Sequence, residues 1–251
     1  MPAVVPPCAA PGLPATPSGY TLGGTAVYGC YREPSMGVTE QGLGWGALAG
    51  AAFSAGRGWH LRTGLEWDHG RIRYQGSGSM SGVPDDRLDV DLALGPDWVL
   101  GPRTVLAPFT GFGVRMEWND LRGATSTGAM GYRRESSLKY VPLGCAVRVA
   151  LGCAWVLVPA VEYDWVAQAR MVSRLGDAGT GLGTAINHPD SGHGWRVGVT
   201  AETGRTAFGP WLRYWRLGAS DKVAVGRGYW AQEPENRSLE VGFRATWRFG
   251  S

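Results

Sequence analysis

Apolar and polar residues alternate with a period of two along most of this chain, which is the pattern of strands with one oily face and one polar face. The last segment shows it most cleanly. Leu239, Val241, Phe243, Ala245, Trp247 and Phe249 fall on one side, and Glu240, Gly242, Arg244, Thr246 and Arg248 on the other. The same split recurs upstream. Trp155, Leu157, Pro159, Val161, Tyr163 and Trp165 form one apolar row, and Leu106, Pro108, Thr110, Phe112, Val114, Met116 and Trp118 form another. Leu88 to Leu94, Trp59 to Trp67 and Trp195 to Ala201 repeat the theme. Near the start, Leu43, Trp45, Ala47, Ala49, Ala51 and Phe53 oppose a glycine-rich row of Gly42, Gly44, Gly46 and Gly50.

Aromatic rings sit near the ends of these apolar rows, as expected of side chains that seek the headgroup level of a bilayer. The links between segments point the same way. Short links at Ala55-Gly58, Gly101-Arg103, Leu151-Gly152 and Gly204-Thr206 alternate with long polar links at Gly76-Asp86, Asn119-Gly131, Ser173-Gly194 and Ala219-Asn236. Short inner turns and long outer loops are the habit of transmembrane barrels. Closing the sheet requires an opening strand over Tyr20 to Tyr31, with Leu22, Ala26 and Tyr28 on its oily side. The expectation is an all-β chain, a transmembrane antiparallel up-and-down β-barrel of about ten strands, with eight as the fallback. It would span residues 20–249, behind a Pro/Ala-rich flexible segment over residues 1–19.

Composition refines this picture. Among 251 residues there are 40 Gly and 12 Trp, and charged residues make up 18%, which suits tight turns and interfacial rings. No run of about 18 apolar residues exists, so no transmembrane helix is expected, an argument that leaves strand-built membrane proteins untouched. The net charge of +3 is spread along the chain and gives no basic patch for nucleic acid. No signal peptide is visible at the N-terminus, where Met1 reads as an expression start and Gly250-Ser251 as a cloning scar. Cys8, Cys30, Cys145 and Cys153 match no zinc spacing. Strand parity argues against a Cys145–Cys153 bridge and leaves a Cys8–Cys30 bridge open.

If the apolar rows meet lipid, the opposite rows meet inside the barrel. They collect Arg62, Glu66, Asp68, Arg87, Asp89, Asp91, Arg115, Glu117, Lys139, Glu162, Asp164, Arg196, Glu202, Arg213, Glu240 and Arg244. A barrel this narrow can be filled by its own side chains, and enclosed charges need partners. A salt-bridged plug is therefore expected, with a narrow path for ions or small solutes as an alternative.

Catalytic signals are weak. Asp85 and Asp86, with Asp190 and His193 in a polar outer loop, faintly resemble the rim carboxylates and histidine of the ten-stranded omptin proteases. Neither spacing nor flanking residues match that motif, so an omptin-like rim hydrolase remains only an alternative. His69 is expected to face lipid without a serine partner for esterase chemistry. No cofactor and no metal site is expected.

Several motifs carry a family likeness: Glu33-Pro34-Ser35-Met36 with Thr39-Glu40-Gln41-Gly42, Gly131-Tyr132-Arg133-Arg134-Glu135 with Tyr140-Val141-Pro142-Leu143-Gly144, Pro210-Trp211-Leu212-Arg213-Tyr214-Trp215, and Gly228-Tyr229 with Glu233-Pro234-Glu235-Asn236. Over about residues 20–249 the chain resembles a group of proteobacterial outer-membrane β-barrel proteins of uncharacterised role. The resemblance implies a bacterial outer-membrane location, in contact with outer-membrane lipid and lipopolysaccharide. The leading functional expectation is a non-enzymatic barrel with a charged, plugged lumen. Its extracellular loops would bind or present to a protein partner, or join a larger membrane complex. Gly76-Asp86, Ser173-Gly194 and Ala219-Asn236 are the expected contact loops, with Tyr229-Trp230 as an aromatic anchor.

Overall fold

The computed structural model describes residues 15–250. The chain forms β1 (Gly19–Glu33), β2 (Val38–Gly56), β3 (Trp59–Gln75), β4 (Ser79–Pro96), β5 (Trp98–Gly101), β6 (Thr104–Ala124), β7 (Met130–Leu151), β8 (Trp155–Arg174), β9 (Thr184–Asn187), β10 (Gly192–Thr203), β11 (Thr206–Leu217), β12 (Val223–Gly226), β13 (Tyr229–Ala231) and β14 (Asn236–Phe249). Ten of them are the staves of a closed antiparallel barrel. β14 pairs with β1, Tyr20 opposite Phe249, and β8 pairs with β10, Val161 opposite Val197, so the sheet has no free edge. Closure satisfies every stave from both sides, which a bilayer demands of a strand-built protein.

Alternation carries straight into the walls. Leu92, Phe112, Leu143, Val161, Val197, Val241 and Phe243 all lie exposed on the outside of the barrel. Leu239 and Trp247 do the same, while Glu240 between the two is 2% exposed. Trp45 meets Trp67 edge to face toward one end of the apolar belt, and Trp155 meets Phe208 toward the other. Such a surface is stable against acyl chains and headgroups, not against water. The barrel thus belongs to the bacterial outer-membrane type and stands in that membrane. Its two longest links, over 175–191 and 218–235, lie at the same end, and by the habit of such barrels that end is the outer one and the β14 C-terminus is at the periplasmic end.

Two of the expected long outer links are short. β3 and β4 continue to Gln75 and Ser79, so Gly76-Asp86 is nearly all strand. β6 and β7 likewise reach Ala124 and Met130 across the stretch Asn119-Gly131. The polar residues there hide an apolar interior row: Ile72, Val83 and Leu121 pack together with Tyr74 and Met80 inside the raised wall. Small and charged residues on the outside of these hairpins gave them the look of loops.

The remaining outer segments fold into a cap. β9 extends the sheet along the end of β8, Met171 opposite Asn187. Asn187 Nδ2 donates to Ser220 Oγ at 2.9 Å and to the Asp221 carbonyl at 3.1 Å, tying residues 175–191 to residues 218–235. β12 and β13 form a hairpin whose turn, Arg227-Gly228, has φ of 53° and 77°. Two successive positive φ values match the twist of a two-residue hairpin. Just beyond it, Tyr229 and Trp230 are 62% and 66% exposed.

At the periplasmic mouth, Thr16 donates from its N–H and its Oγ1 to Asp97, at 2.7 and 2.8 Å. His60 Nδ1 lies 3.4 Å from the same carboxylate. The chain just before β1 is therefore fastened across the rim. The rest of the expected flexible segment, residues 1–14, lies outside the described residues, as does Ser251. Cys30 and Cys145 are free thiols and Cys153 is disulfide-bonded. The Cys8–Cys30 bridge left open by sequence is thereby ruled out at Cys30.

Candidate functional site: the barrel interior

The inward rows of β3, β4, β6, β10, β11 and β14 bring charges together across the lumen at mid-height. Arg115 donates to Asp89 at 2.8 Å, to Glu117 and to Glu240. Arg213 reaches Asp89 at 2.9 Å, Glu240 at 3.1 Å and Glu66 at 3.2 Å. Arg87 bridges Asp85 at 2.6 Å and Glu240 at 2.9 Å. Arg196 binds Asp164 at 2.8 Å and Asp89 at 3.3 Å. Asp89 and Glu240 thus each hold three guanidinium groups from opposite sides of the barrel. Charge-assisted, multiply connected pairs of this kind are what makes enclosed charge tolerable.

Aromatic rings complete the layer. The Arg196 guanidinium donates to the Tyr140 hydroxyl at 2.5 Å, and Tyr140 packs edge-on against Trp215. Arg213 and Arg244 both lie over the Trp211 ring, at 5.0 and 5.2 Å from its centre. Gly113 makes room for this: a Cβ there would collide with the Tyr140 ring. These inward rings were not singled out from sequence, because Tyr and Trp in an alternating strand read first as interfacial anchors. The available signal was parity, since Trp211 and Trp215 share the face of Arg213.

Arg62 and Arg244 are held loosely, at 3.7 Å from Glu162 and 3.9 Å from Glu66. Arg62 instead stacks on Phe109, 3.7 Å from the ring centre. Asp68 is buried with no hydrogen-bond partner, and Asp91 borders the periplasmic cavity. Glu202 pairs with Arg148 at 2.8 Å lower down, an arginine the sequence reading had passed over. Lys139 corrects the expectation: it is exposed on the outer wall, opposite Val114. Leu138 and Tyr140 occupy the inward positions on either side of it, and both are buried.

Cavities lie along the lumen on both sides of the charged layer. A periplasmic one of about 430 Å³ is bordered by Arg62, Asp91, Glu162 and Arg244. An outer vestibule of about 550 Å³ is walled by Tyr74, Met80, Leu121 and Met130. A small one of about 60 Å³ lies between the vestibule and the charged layer. The vestibule floor is a second cluster, also missed in sequence. Arg134 donates to Glu33 at 2.8 Å and to Glu233 at 2.5 Å, beside Tyr31. In the loop, burial pushes the Glu233 carboxyl above its ordinary range and Arg134 pulls it back only in part. Asp177, at the cap's edge, is held down at about 2 by hydrogen bonds from Arg133.

The weak catalytic candidates do not converge. Asp85 faces the lumen against Arg87, while Asp86 faces outward and meets His69 Nδ1 at 2.9 Å. His193 stacks on Tyr163 on the outer wall of β10, several staves away from β4. Asp190 is exposed in the cap. Among the described residues, no group of three or more His, Cys, Asp or Glu side chains is placed to hold a metal ion.

These features define the class as a narrow bacterial outer-membrane β-barrel with a charged interior. No family model matches the chain, and no curated protein matches it in sequence. Among solved structures it is similar to the outer membrane protease OmpT from Escherichia coli, with a TM-score of 0.55 at 11% identity, covering 96% of this chain and 100% of that one. The translocator domain of the autotransporter NalP from Neisseria meningitidis gives 0.43 at 13% identity, covering 93% and 90%. Ail of Yersinia pestis gives 0.35 at 8% identity, covering 92% and 100%. At these identities the likeness is one of fold.

Proposed function

We propose that this chain is a non-enzymatic outer-membrane barrel, closed at mid-height by its own arginine–carboxylate layer, whose folded outer cap binds or presents to a partner. The observation that carries this reading is the convergence of Arg87, Arg115 and Arg213 on Glu240 across the lumen. Side chains so mutually engaged support a lumen closed by its own residues rather than an open path. The exposed Tyr229-Trp230 hairpin supports the partner half of the reading, since rigid aromatic anchors suit protein contacts. Arg71 and Arg73 project outward above the Trp45–Trp67 pair, where the phosphates of lipopolysaccharide would lie.

The test is conductance of the refolded protein in planar bilayers. Baseline current is expected from the intact chain. Steady unitary conductance would replace this reading with that of a narrow channel, the vestibules above and below the layer then serving as its mouths.

A further inference from the structure

The small cavity above the charged layer has an unusual electrostatic lining. Glu40, on β2, borders it and is 7% exposed. Its Oε1 has no hydrogen-bond partner, and its Oε2 receives only Asn119 Nδ2 at 3.3 Å. Asn119 Oδ1, on the same wall, is also without a partner. The other polar groups there are committed elsewhere. Asp85 is taken by Arg87, and Glu117 by Arg115 and the Ser136 hydroxyl at 3.1 Å. Arg134 is directed at Glu33 and Glu233. Arg87 Nη1, the other polar atom there without a hydrogen bond, lies 2.9 Å from the Glu240 carboxylate and is held by it ionically. The cavity therefore offers two buried acceptors with nothing donating to them, and one of the two is a carboxyl group.

A buried carboxylate left in that state costs several kcal/mol in ordinary circumstances, so a built site of this composition calls for a cationic donor. A metal ion would need more ligands than these two groups supply. An ammonium group brings three N–H donors and one positive charge. Ile72 and Met171 give the same cavity an apolar side, which suits a short hydrocarbon attached to the nitrogen. A space of about 60 Å³ is enough for a few water-sized groups.

We propose that the cavity between the vestibule floor and the central charged layer binds a short primary alkylammonium ion, its nitrogen donating to Glu40 and Asn119 and its alkyl body resting on Ile72 and Met171. The geometry asks for N–H donors as well as charge, so a quaternary ammonium of similar size should be refused.

The experiment is calorimetric titration of the refolded full chain in micelles with n-butylammonium chloride, set against tetramethylammonium chloride and sodium chloride. Saturable binding of butylammonium at one site per chain is expected, with tetramethylammonium weaker by about tenfold or more, the usual consequence of losing charge-assisted hydrogen bonds. Glu40→Gln, which keeps the shape and removes the charge, should weaken butylammonium by about tenfold or more, and Asn119→Ala by a smaller factor. Unchanged heat-modifiable migration on a gel verifies that each variant is folded. No saturable binding by the parent chain, equal binding of the two ammonium ions, or undiminished binding by folded Glu40→Gln would each overturn the proposal; the first would mean that water alone fills the cavity. Bilayer conductance bears on the closed-lumen reading and leaves this one untouched.

Discussion

Asp85 and Asp86 are neighbours in the chain, yet the barrel wall separates them. Asp85 points inward and lies 2.6 Å from Arg87, in a layer where each charge is shared among several partners. Asp86 points outward and meets only His69, at 2.9 Å, in a pair that is over a third exposed on both sides. The chemistry of the two carboxylates is the same, and what differs is enclosure. Inside, loss of one partner strands charges that water cannot reach. Outside, at the level of Trp45 and Trp67, headgroups and water can replace whatever is removed.

The sharpest test of that contrast is Glu240→Ala. It removes the carboxylate on which Arg87, Arg115 and Arg213 converge. Breaking an enclosed ionic cluster from one side costs about 3–5 kcal/mol, because the stranded partners stay buried. Urea unfolding in micelles, followed by tryptophan fluorescence, should show a loss of that order. A loss as small as that of an exposed pair would mean that water already permeates the layer.

The next effect belongs to the opposite wall. Leu92 is 48% exposed and pairs with Thr63, midway along β3 between Trp59 and Trp67. Leu92→Arg places a charge near the middle of the acyl region, at a cost of about 2–4 kcal/mol. The comparison variant Thr246→Arg enters the wide periplasmic cavity instead and should cost clearly less in the same unfolding assay. If the two were equally harmful, the assignment of lipid and lumen faces would be in trouble.

Asp86→Asn should matter least among the charged-pair variants. A half-exposed pair contributes about 0–1 kcal/mol, so its unfolding midpoint should stay close to that of the parent. A loss rivalling that of Glu240→Ala would show that the His69 pair is buried by something the isolated chain lacks.

Much of this contrast could be read from the residues alone, and its limits are instructive. Parity along each row gave the lumen side of Glu240, Arg213 and Asp89, because oil on one side forces polar groups to the other. The reading failed at Lys139, where a lysine seemed the natural lumen residue. In the barrel Tyr140 faces inward because its hydroxyl completes the coordination of Arg196. A register shift between Lys139 and Tyr140 against β8 further blurs the row. The vestibule was illegible for a different reason. Its floor joins Glu33, Arg134 and Glu233, which are about a hundred residues apart in sequence, and only closure of the sheet brings them together. The raised hairpins were misread because their outer faces are polar on both sides of the membrane boundary, where no lipid enforces alternation.

The smallest expected effect lies outside the membrane, where the same logic of enclosure predicts little coupling to the barrel. Asp177 accepts from Arg133 Nε at 2.7 Å, from its terminal nitrogen at 3.0 Å and from its backbone N–H at 3.2 Å. These bonds hold the carboxyl at about 2, against an ordinary value of about 3.9. A carboxyl lowered in the folded state contributes fully above its ordinary value and loses that contribution as the pH falls through its folded one. The short turn at Leu175–Ala178 should therefore stay anchored at pH 5 and loosen between about pH 4 and about pH 2. Pepsin cleavage near Leu175, taken as a ratio to Asp177→Asn at each pH, reports this directly and cancels the protease's own pH dependence. The ratio should start well below one and rise to one as the pH drops, while heat-modifiable migration of the barrel stays unchanged. A flat ratio would show that the Arg133 contact does not hold the turn. A simultaneous loss of the folded band would show that the cap and the central layer unfold as one unit.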